Sequence, residues 1–575
     1  MAGSTQISSV VASLIIAADP AKGAEERSKS DLWIFREGRR EVSGRAMVRN
    51  LANRLASKNS LLDCLIEAGE LEAALADMNA PGAAAAAALT DALALSVCTG
   101  DQADQGVVEQ LAGRISVPET ISISPPEGFS YYALHPSDYA RVVDRIASSS
   151  GTFAVIGVRS IGTTLSAVTT AALSGNGRPA QRTTVRPTGH PYARIVQFST
   201  EQERWIEQQL SRSADFLVVD EGPGRSGSTF LSVAEALMRM KVPPESITAI
   251  GSREFDPETL CAQDAAKRWR RVRYLSTAPS VSSRFQNFAY IGGGDWRMHS
   301  FDDEADWPES WTQMERLKFL SPDGARFFKF EGMGPLGREV RERAFSLAEA
   351  GFSPAVVDAG DGFLSYQIIE GRNLRKRDVS PSVLERIARY CSFRVSNFSY
   401  SPPFSSQLAS MLEFNVQQEF GSELRLDPGL LGSTNPVLAD GRMQPFEWIA
   451  SPQGELLKTD AISHGDNHFF PGPCDIAWDL AGAIVEWDLP FEAAEFLLRR
   501  FKQLSGLDVA EKLGAYMLAY CVFRLGFCKM AESTVLGSRE ESRLETAYCW
   551  YRSKAEKLLE AVTVPGRFFA VRVAT

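Results

Sequence analysis

One stretch, FLVVDEGPGRSGSTF at residues 216–230, constrains this chain more than any other. Its four apolar residues are typical of a short strand buried in a parallel sheet. Two acids, a glycine-rich turn and the start of an amphipathic helix follow them. Glycines in such a turn let successive backbone N–H groups converge on an anion at the positive end of the helix. Because α/β sheets bind ligands at the carboxyl ends of their strands, the stretch predicts a phosphate site beside a site for sugar hydroxyls.

The same residues resemble the signature of the type I phosphoribosyltransferases, which bind phosphoribosyl pyrophosphate with a hydrophobic strand, two acids and a Gly/Ser/Thr loop. The resemblance implies that Asp220 and Glu221 hold the ribose hydroxyls at the catalytic centre, and that the loop holds the 5′-phosphate. An ordinary strand–turn–helix of a nucleotide-binding sheet is the alternative. The loop residues implied to bind phosphate are Gly222, Gly224, Arg225, Ser226, Gly227, Ser228 and Thr229.

Two earlier loops fit the same resemblance. GVRSIGTT at 157–164 follows a predicted strand and corresponds to the family's pyrophosphate loop, which implies binding by Gly157, Arg159 and Ser160. RTTVRPTGHPYAR at 182–194 is a poor candidate for packed helix or sheet, and the family carries a mobile loop there. Arg186, with Arg194, is implied to stabilise the departing diphosphate. A simple strand-to-helix turn and a solvent loop with incidental arginines remain the alternatives.

Size and composition set the broad class. A chain of 575 residues is too long for one core. The contents of 44% hydrophobic and 23% charged residues are those of an ordinary globular protein. A net charge of −10 gives no general attraction to nucleic acid or anionic membranes. Scattered cysteines and the lack of a bilayer-spanning apolar run predict a cytoplasmic protein with neither nucleic-acid nor membrane partners.

Residues 1–125 show helical periodicity, with Ser43 and Ser60 as predicted N-caps and Gly69 as a predicted break between two helices. Three roles are open for this region: a hood over an acceptor site, a homodimer contact, or simple packing. From 126 to 305 the pattern changes to strands that alternate with helices, which predicts a parallel sheet with crossover helices.

The second half begins with MERLKFLSPDGARFFKFEGMG at 314–334, which predicts two strands around a Pro-Asp-Gly turn. Lys329 lies near the end of the second strand, and an amphipathic helix follows. A lysine on a strand and a glutamate on the next helix form the pair that protein-kinase-like folds use for ATP. With its RERA…LAEAGFSP and IIEGRNL segments, the chain is similar to the aminoglycoside phosphotransferase and choline kinase family. The similarity implies that Lys329 binds ATP with Glu342 as partner and Glu339 as competitor; an edge-strand charge is the alternative.

In that family a catalytic HGDxxxxN loop precedes a metal-binding aspartate by about twenty residues, and an Asp-Leu-Ala helix follows. Asp440, Asp460 and Asp479 have this order and spacing. The similarity implies that Asp440 orients and deprotonates an acceptor hydroxyl while Asp460 holds Mg²⁺.

The chain departs from the family pattern in this loop. No His-Gly precedes Asp440, and Pro445 stands in place of the metal-binding asparagine. Glu447 is therefore expected to take over that metal contact. A His-Gly-Asp occurs only later, at 464–466, and makes Asp466 a candidate for an extra metal ligand.

Together these features predict a mixed α/β protein. It would comprise a helical region at 1–125, a phosphoribosyltransferase-like parallel-sheet domain at 126–305, and a kinase-like two-lobed α+β domain at 306–575. The expected function is bifunctional and belongs to nucleotide or nucleoside-like metabolism. One site would transfer phosphoribosyl from phosphoribosyl pyrophosphate to a small acceptor with Mg²⁺, and the other would phosphorylate a small molecule with ATP. A nucleotide-sensing regulator with a pseudokinase lobe and a ribosyl hydrolase are the alternatives.

Overall fold

A computed structural model describes residues 39–56, 60–100, 105–146, 151–401, 407–424, 428–462, 464–465, 467 and 469–563. Within these residues the chain is a mixed α/β protein with a parallel sheet, as predicted. It also contains a five-stranded antiparallel sheet and a large helical region that carries a three-stranded sheet.

The N-terminal region is helical and is closed by a small antiparallel sheet. Ser60 caps its second helix by accepting the N–H of Asp63 (3.3 Å). The predicted break at Gly69 is wrong, because this helix runs unbroken past it; a Cβ there would lie 2.0 Å from the Thr164 hydroxyl, so glycine allows two helices to touch. The elements are β1 (Arg40–Ser43), α1 (Gly44–Ala56), α2 (Leu61–Asp77), α3 (Ala83–Thr99), α4 (Gln105–Gly113) and β2 (Thr120–Ile123).

The parallel sheet has the strand order β4-β3-β5-β6-β7. Its central strands β3, β5 and β6 are mostly apolar because both faces are covered: in β3, Phe153 and Val155 enter one core, while Ala154 and Ile156 enter another. The elements are α5 (Glu127–Tyr131), α6 (Pro136–Val142), β3 (Phe153–Val158), α7 (Ile161–Gly175), β4 (Ala180–Val185), α8 (Thr200–Ser211), β5 (Asp215–Val219), α9 (Ser228–Arg239), β6 (Ile247–Gly251), α10 (Ala265–Trp269), β7 (Arg273–Ser276) and α11 (Ser280–Arg284).

The start of the predicted mobile loop is instead a strand. Arg182 lies within β4, and its guanidinium forms a buried ion pair with Glu72 of the N-terminal helices (2.7 Å). A second acid, Asp91, pairs with the same guanidinium. Sequence reasoning treated Arg182 as a loop residue because the partners that satisfy its charge come from a distant segment.

The antiparallel sheet has the order β11-β12-β10-β9-β8 and crosses the predicted boundary at residue 305, because β8 pairs with β9. Phe285 stacks on Phe319 with ring centroids 4.3 Å apart, so one core continues from the parallel sheet into this one. The elements are β8 (Ala289–Tyr290), β9 (Lys318–Leu320), β10 (Arg326–Phe330), α12 (Gly334–Glu349), β11 (Val356–Gly360) and β12 (Phe363–Gln367).

The remaining residues form a helical lobe around one large core, with the three-stranded sheet β13-β14-β15 at its edge. Its elements are β13 (Arg372–Asn373), α13 (Pro381–Asn397), α14 (Leu408–Phe420), α15 (Pro428–Leu431), β14 (Trp448–Ala450), β15 (Leu456–Lys458), α16 (Ala477–Glu486), α17 (Phe491–Ser505), α18 (Ala510–Glu532) and α19 (Arg539–Thr563).

One helix in the part of the chain that the structure describes, α18, is long and apolar enough to cross a membrane by length and composition. The prediction that no segment reaches that length is therefore wrong for α18. However, 78% of its most apolar window is buried inside the fold, as in the core helix of many proteins that never meet a bilayer.

The N-terminal helices contact both other parts of the chain. Helix α2 packs on α7 beside the parallel sheet. Its Asp63 carboxylate accepts the N–H of Gly334 (2.6 Å) at the start of α12 and pairs with Arg341. Packing within the chain is thus one role of this region.

Candidate functional site

The first candidate site lies at the carboxyl edge of the parallel sheet. Strands β3 and β5 are neighbours there, and the chain leaves them toward opposite sides of the sheet, to β4 and to β6. Such a topological switch point opens a crevice in which α/β proteins bind ligands. Residues 157–160 form the end of β3 and the turn after it, and Asp220 and Glu221 directly follow β5, so the fold brings both predicted segments to this crevice.

The two acids are held by their backbone. Tyr139 donates its hydroxyl to the carbonyl of Asp220 (2.7 Å), and Ser252 donates its N–H to the carbonyl of Glu221 (2.6 Å). Burial raises the pKa of Asp220 to about 8, and the neighbouring Glu221 charge adds to the shift. Burial and the charge of Glu127 raise the pKa of Glu221 to about 7. Two carboxyl groups poised near neutral pH in a crevice are typical of a ligand site.

A cavity of about 440 Å³ opens beside Glu221. Ser160 and Ile161 of the β3 loop form one wall. Arg39, residues 124–126 and Glu127, the first residue of α5, also line it. Arg39, Ser124 and Pro125 of the region 1–125 thus line this cavity, and the hood role considered for that region stays a prediction.

Asp77, at the end of α2, binds both arginines that were predicted to hold a diphosphate. It accepts from Arg159 (2.8 Å) and from Arg186 (2.6 Å), and these guanidinium groups lower its pKa against the effect of burial. Arg186 also donates to the Arg159 carbonyl (2.8 Å). Sequence reasoning missed Asp77, since nothing in a helix of the N-terminal region marks it as a partner for loops about a hundred residues later.

Asp77 should therefore compete with diphosphate for the two arginines. Replacing Asp77 with asparagine removes the competing charge while keeping the side-chain shape. We expect the dissociation constant for pyrophosphate to fall about tenfold, measured by isothermal titration calorimetry. Asp144→Asn is the control, because Asp144 is an exposed aspartate that binds Asn176 (3.0 Å) and neither arginine. Weaker binding by Asp77→Asn would show that Asp77 positions the arginines instead of competing.

The loop after β5 is held by the segment after Arg186. Ser226 and Ser228 both donate their hydroxyls to the Pro191 carbonyl (2.8 and 2.6 Å), so a phosphate would have to displace Pro191 to use them. The backbone requires glycine at Gly227, where φ is +65° and a Cβ would lie 2.5 Å from Leu260. In the β3 loop a Cβ at Gly157 would lie 2.3 Å from the Gly162 carbonyl.

The other predicted loop residues have more ordinary surroundings. A Cβ at Gly222 or Gly224 would meet no atom closer than 3.8 Å among the described residues, so neither is required by packing there. The Arg225 carbonyl accepts the N–H of Cys261 (3.1 Å), and Thr229 is half-buried in the first turn of α9. Arg194 donates to the Gly189 carbonyl (2.7 Å) within its own loop.

The second candidate site lies between the antiparallel sheet and the helical lobe. Lys329 at the end of β10 is 4% exposed, and its ammonium lies 3.1 Å from Glu331 and pairs with Asp460 of the helical lobe. Burial acts to raise the pKa of Asp460, but Lys329 and His464 hold it well below its usual range. The backbone of Asp460 is left-handed, with a φ of +51°, at the residue that pairs with Lys329.

Glu342 is not the partner of Lys329. Its side chain is exposed on the outer face of α12, whereas Glu331, two residues beyond the lysine on its own chain segment, makes the contact. The sequence pattern correctly predicted that a helix follows Lys329. It could not show which face of this helix, α12, is turned toward the sheet.

Asp440 is fully buried at the centre of a polar network. Its carboxylate accepts the Tyr390 hydroxyl and lies 3.4 Å from the Lys458 ammonium. Asp479, the aspartate of the Asp-Leu-Ala run, accepts the backbone N–H of Asp440 (2.9 Å) and of Gly441 (3.2 Å). These two hydrogen bonds from Asp440 and Gly441 attach the loop to the first turn of α16.

Glu447 lies in the same network but is bound to a lysine. Its Oε2 accepts from Lys458 at 2.7 Å, and burial raises its pKa to about 7 despite that lysine. One donor atom from each of Asp440, Glu447 and His464 lies within 4.8 Å of the others. Asp466 lies outside the described residues. Carboxylate oxygens suit Mg²⁺, but both predicted metal ligands that the structure describes are paired with a lysine, Asp460 with Lys329 and Glu447 with Lys458. A metal ion at either carboxylate would have to share or displace that lysine.

Sequence reasoning missed three residues that build this network: Tyr390, Arg394 and Lys458. Arg394 lies one helical turn after Tyr390 and donates to the carbonyls of Leu438 (3.2 Å) and Ala461 (2.8 Å), which tie the two aspartate-bearing loops together. The signal for the first two was a tyrosine and an arginine four residues apart on an amphipathic helix, whereas Lys458 on β15 had none.

A cavity of about 880 Å³ borders the loop after Asp440. Gln444, Pro445 and Phe446 form part of its wall, and Trp550 and Tyr551 of α19 face them. Its size suits a small organic ligand.

No family model matches the chain, and no curated protein matches it. Three solved structures with some similarity are choline kinase LicA from Streptococcus pneumoniae, a choline/ethanolamine kinase family protein from Mesorhizobium loti, and an ethanolamine kinase from Plasmodium vivax. Their identities to this chain are 15%, 14% and 12%. They cover 41%, 43% and 42% of it and 89%, 89% and 81% of their own chains, with TM-scores of 0.29, 0.29 and 0.28. None of these similarities concerns phosphoribosyl transfer.

Proposed function

We propose that the second half of the chain is an ATP-dependent kinase for a small molecule. The observation that carries this proposal is the meeting of Lys329, from the antiparallel sheet, with Asp460, from the helical lobe. A buried lysine facing an aspartate across two lobes is the arrangement that protein-kinase-like enzymes use to hold ATP phosphates and their metal.

The residues divide the work of phosphoryl transfer among them. Lys329 would bind phosphate oxygens and Asp460 would hold Mg²⁺, which neutralises charge on the phosphates when it is bound with ATP. Asp440 would orient the acceptor hydroxyl and accept its proton. Because Tyr390 and Lys458 enclose Asp440, one of them has to move before an acceptor reaches it.

The direct test is formation of ADP from ATP in the presence of pooled small molecules that carry hydroxyl or amine groups. Acceptor-dependent ADP release supports the kinase, and fractionation of the pool then leads to the acceptor. ATP binding without turnover across all pools would contradict the kinase proposal.

A second function is favoured at the parallel sheet. Asp220 and Glu221 lie at the switch point together with the Gly157–Ser160 loop, and a 440 Å³ cavity adjoins them. We propose that this crevice binds phosphoribosyl pyrophosphate with Mg²⁺ and transfers its phosphoribosyl group to a small acceptor. Release of pyrophosphate with a panel of nitrogenous acceptors tests the transfer.

The affinity for phosphoribosyl pyrophosphate should rise with pH. The pKa values of Asp220 (about 8) and Glu221 (about 7) leave both carboxyls partly protonated at neutral pH, and the ionised form accepts hydroxyl hydrogen bonds better. Titration calorimetry from pH 6 to about 9 should show this rise, and it should be absent from an Asp220→Asn, Glu221→Gln variant. For the free protein the sign is opposite: the folded pKa values lie above the unfolded ones, so stability declines as pH rises from about 4 to about 8.

A sensing function is the alternative that specific contacts favour. Asp440 is enclosed, and Pro191 occupies the hydroxyls of Ser226 and Ser228. Ligand binding at both sites without any product would support a regulator with a pseudokinase lobe. Turnover at either site would exclude a purely sensing role.

A further inference from the structure

Lys458 lies inside a group of potential metal ligands. Its ammonium is 2.7 Å from Glu447 Oε2 and 3.4 Å from Asp440 Oδ2, and it donates to the Thr459 carbonyl (3.1 Å). The donor atoms of Asp440, Glu447 and His464 lie within 4.8 Å of one another, a spacing that suits a coordinated cation. Lys458 is fully buried, so its charge is committed to these partners.

The local sequence places this lysine where an asparagine is missing. Pro445 has neither a side-chain oxygen nor an N–H to offer. The strand pair β14–β15 sets Lys458 opposite Trp448, next to Glu447. Thr459 fixes the Glu447 carbonyl with its N–H (2.7 Å) and its hydroxyl (3.0 Å). These backbone contacts therefore keep the Lys458 ammonium next to the Glu447 carboxylate.

The charges also require a cation at this point. Two buried carboxylates this close would repel each other strongly unless a positive charge lay between them. The Lys458 ammonium, 2.7 Å from Glu447 Oε2 and 3.4 Å from Asp440 Oδ2, is the cation that the structure places between them.

We propose that the Lys458 ammonium permanently takes the place of a second divalent cation, so that the kinase-like site works with a single metal ion at Asp460. This inference rests on the proposed kinase function for its role in the reaction. Its structural part, the replacement of a cation by a lysine, can be tested without nucleotide.

The first experiment uses Lys458→Met, which keeps the apolar stem and removes the charge. In EDTA we expect this variant to unfold several degrees below the wild type, because Asp440 and Glu447 lose their counter-charge. Mn²⁺ should restore the unfolding temperature, and electron paramagnetic resonance should count one bound ion more than in the wild type. Adding Glu447→Gln to the variant should abolish this extra ion.

Lys512→Met is the matched control, because Lys512 also pairs with an aspartate of the same lobe (Asp475, 2.9 Å) but lies outside the network. It should gain no Mn²⁺ site. If Lys458→Met binds no more Mn²⁺ than the wild type, the proposal is overturned.

A second measurement keeps the proposal testable if Lys458→Met does not fold. Wild-type protein is titrated with Mn²⁺ and a non-hydrolysable ATP analogue, without phosphoribosyl pyrophosphate. One nucleotide-dependent Mn²⁺ per chain supports the proposal, and two overturn it. Failure to bind the analogue at all would instead contradict the proposed kinase function. Without nucleotide, an Mn²⁺ ion that the wild type binds and Glu447→Gln does not would overturn the role of Lys458, and the absence of such an ion would support it.

Discussion

Replacing Asp440 with asparagine should lower acceptor-dependent ATP consumption by about 10²–10⁴-fold, the usual contribution of a positioned general base. The amide can still accept the Tyr390 hydroxyl, so the network around it should persist. The dissociation constant for ATP with Mg²⁺ should stay within about twofold of the wild type, because Lys329 and Asp460 remain. Steady-state ADP release and titration calorimetry measure the two quantities separately.

Asp475→Asn provides the control for this prediction. Asp475 lies in the same lobe and pairs with Lys512, outside the Asp440 network. It should leave turnover nearly unchanged. Full activity in Asp440→Asn would remove Asp440 from the mechanism, and a parallel loss of ATP binding would show that its role is structural.

The double substitution Asp220→Asn and Glu221→Gln should weaken phosphoribosyl pyrophosphate binding by about 10²–10⁴-fold. Each carboxylate is expected to accept a hydroxyl hydrogen bond, and hydrogen bonds to charged groups contribute about 1.5–3 kcal/mol each. Titration calorimetry in the presence of Mg²⁺, at a pH where both wild-type carboxyls are ionised, gives the dissociation constants.

Asp215→Asn is the matched control for this pair. Asp215 begins the same strand, β5, at the end of the sheet opposite to the crevice. It should bind phosphoribosyl pyrophosphate as the wild type does. Undiminished affinity in the double variant would refute the assignment of the crevice, and an equal loss in both variants would indicate a defect in the sheet itself.

The sequence pattern predicted secondary structure correctly where the contacts that form it involve residues close together in the chain. The apolar run Phe216–Val219 predicted a buried parallel strand because both faces of such a strand meet side chains. Ser60 predicted a helix start because its cap contact spans only three residues. The spacing of Asp440, Asp460 and Asp479 was informative in part: Asp479 accepts the backbone N–H of Asp440, and Arg394 joins the segments that carry Asp440 and Asp460.

The sequence pattern did not predict ion pairs between residues that are far apart in the chain. The contacts of Asp77 with Arg159 and Arg186 join residues 82 and 109 positions apart. Glu342 was expected at Lys329, but the rotation of α12 depends on its packing against both the sheet and helix α2. Nor could pattern show that β8 pairs across the predicted boundary at 305, with a sheet whose other strands begin about thirty residues later.

By itself, the sequence determined the class of each half: alternating strands and helices with acids after a strand, then a lysine-bearing hairpin followed by spaced aspartates. These features depend on neighbours within a few turns of chain. Only the tertiary structure decided which charges meet. It enclosed Lys458 between Asp440 and Glu447, and it set Asp77 against two arginines, since a buried charge takes whichever counter-charge the fold brings within reach.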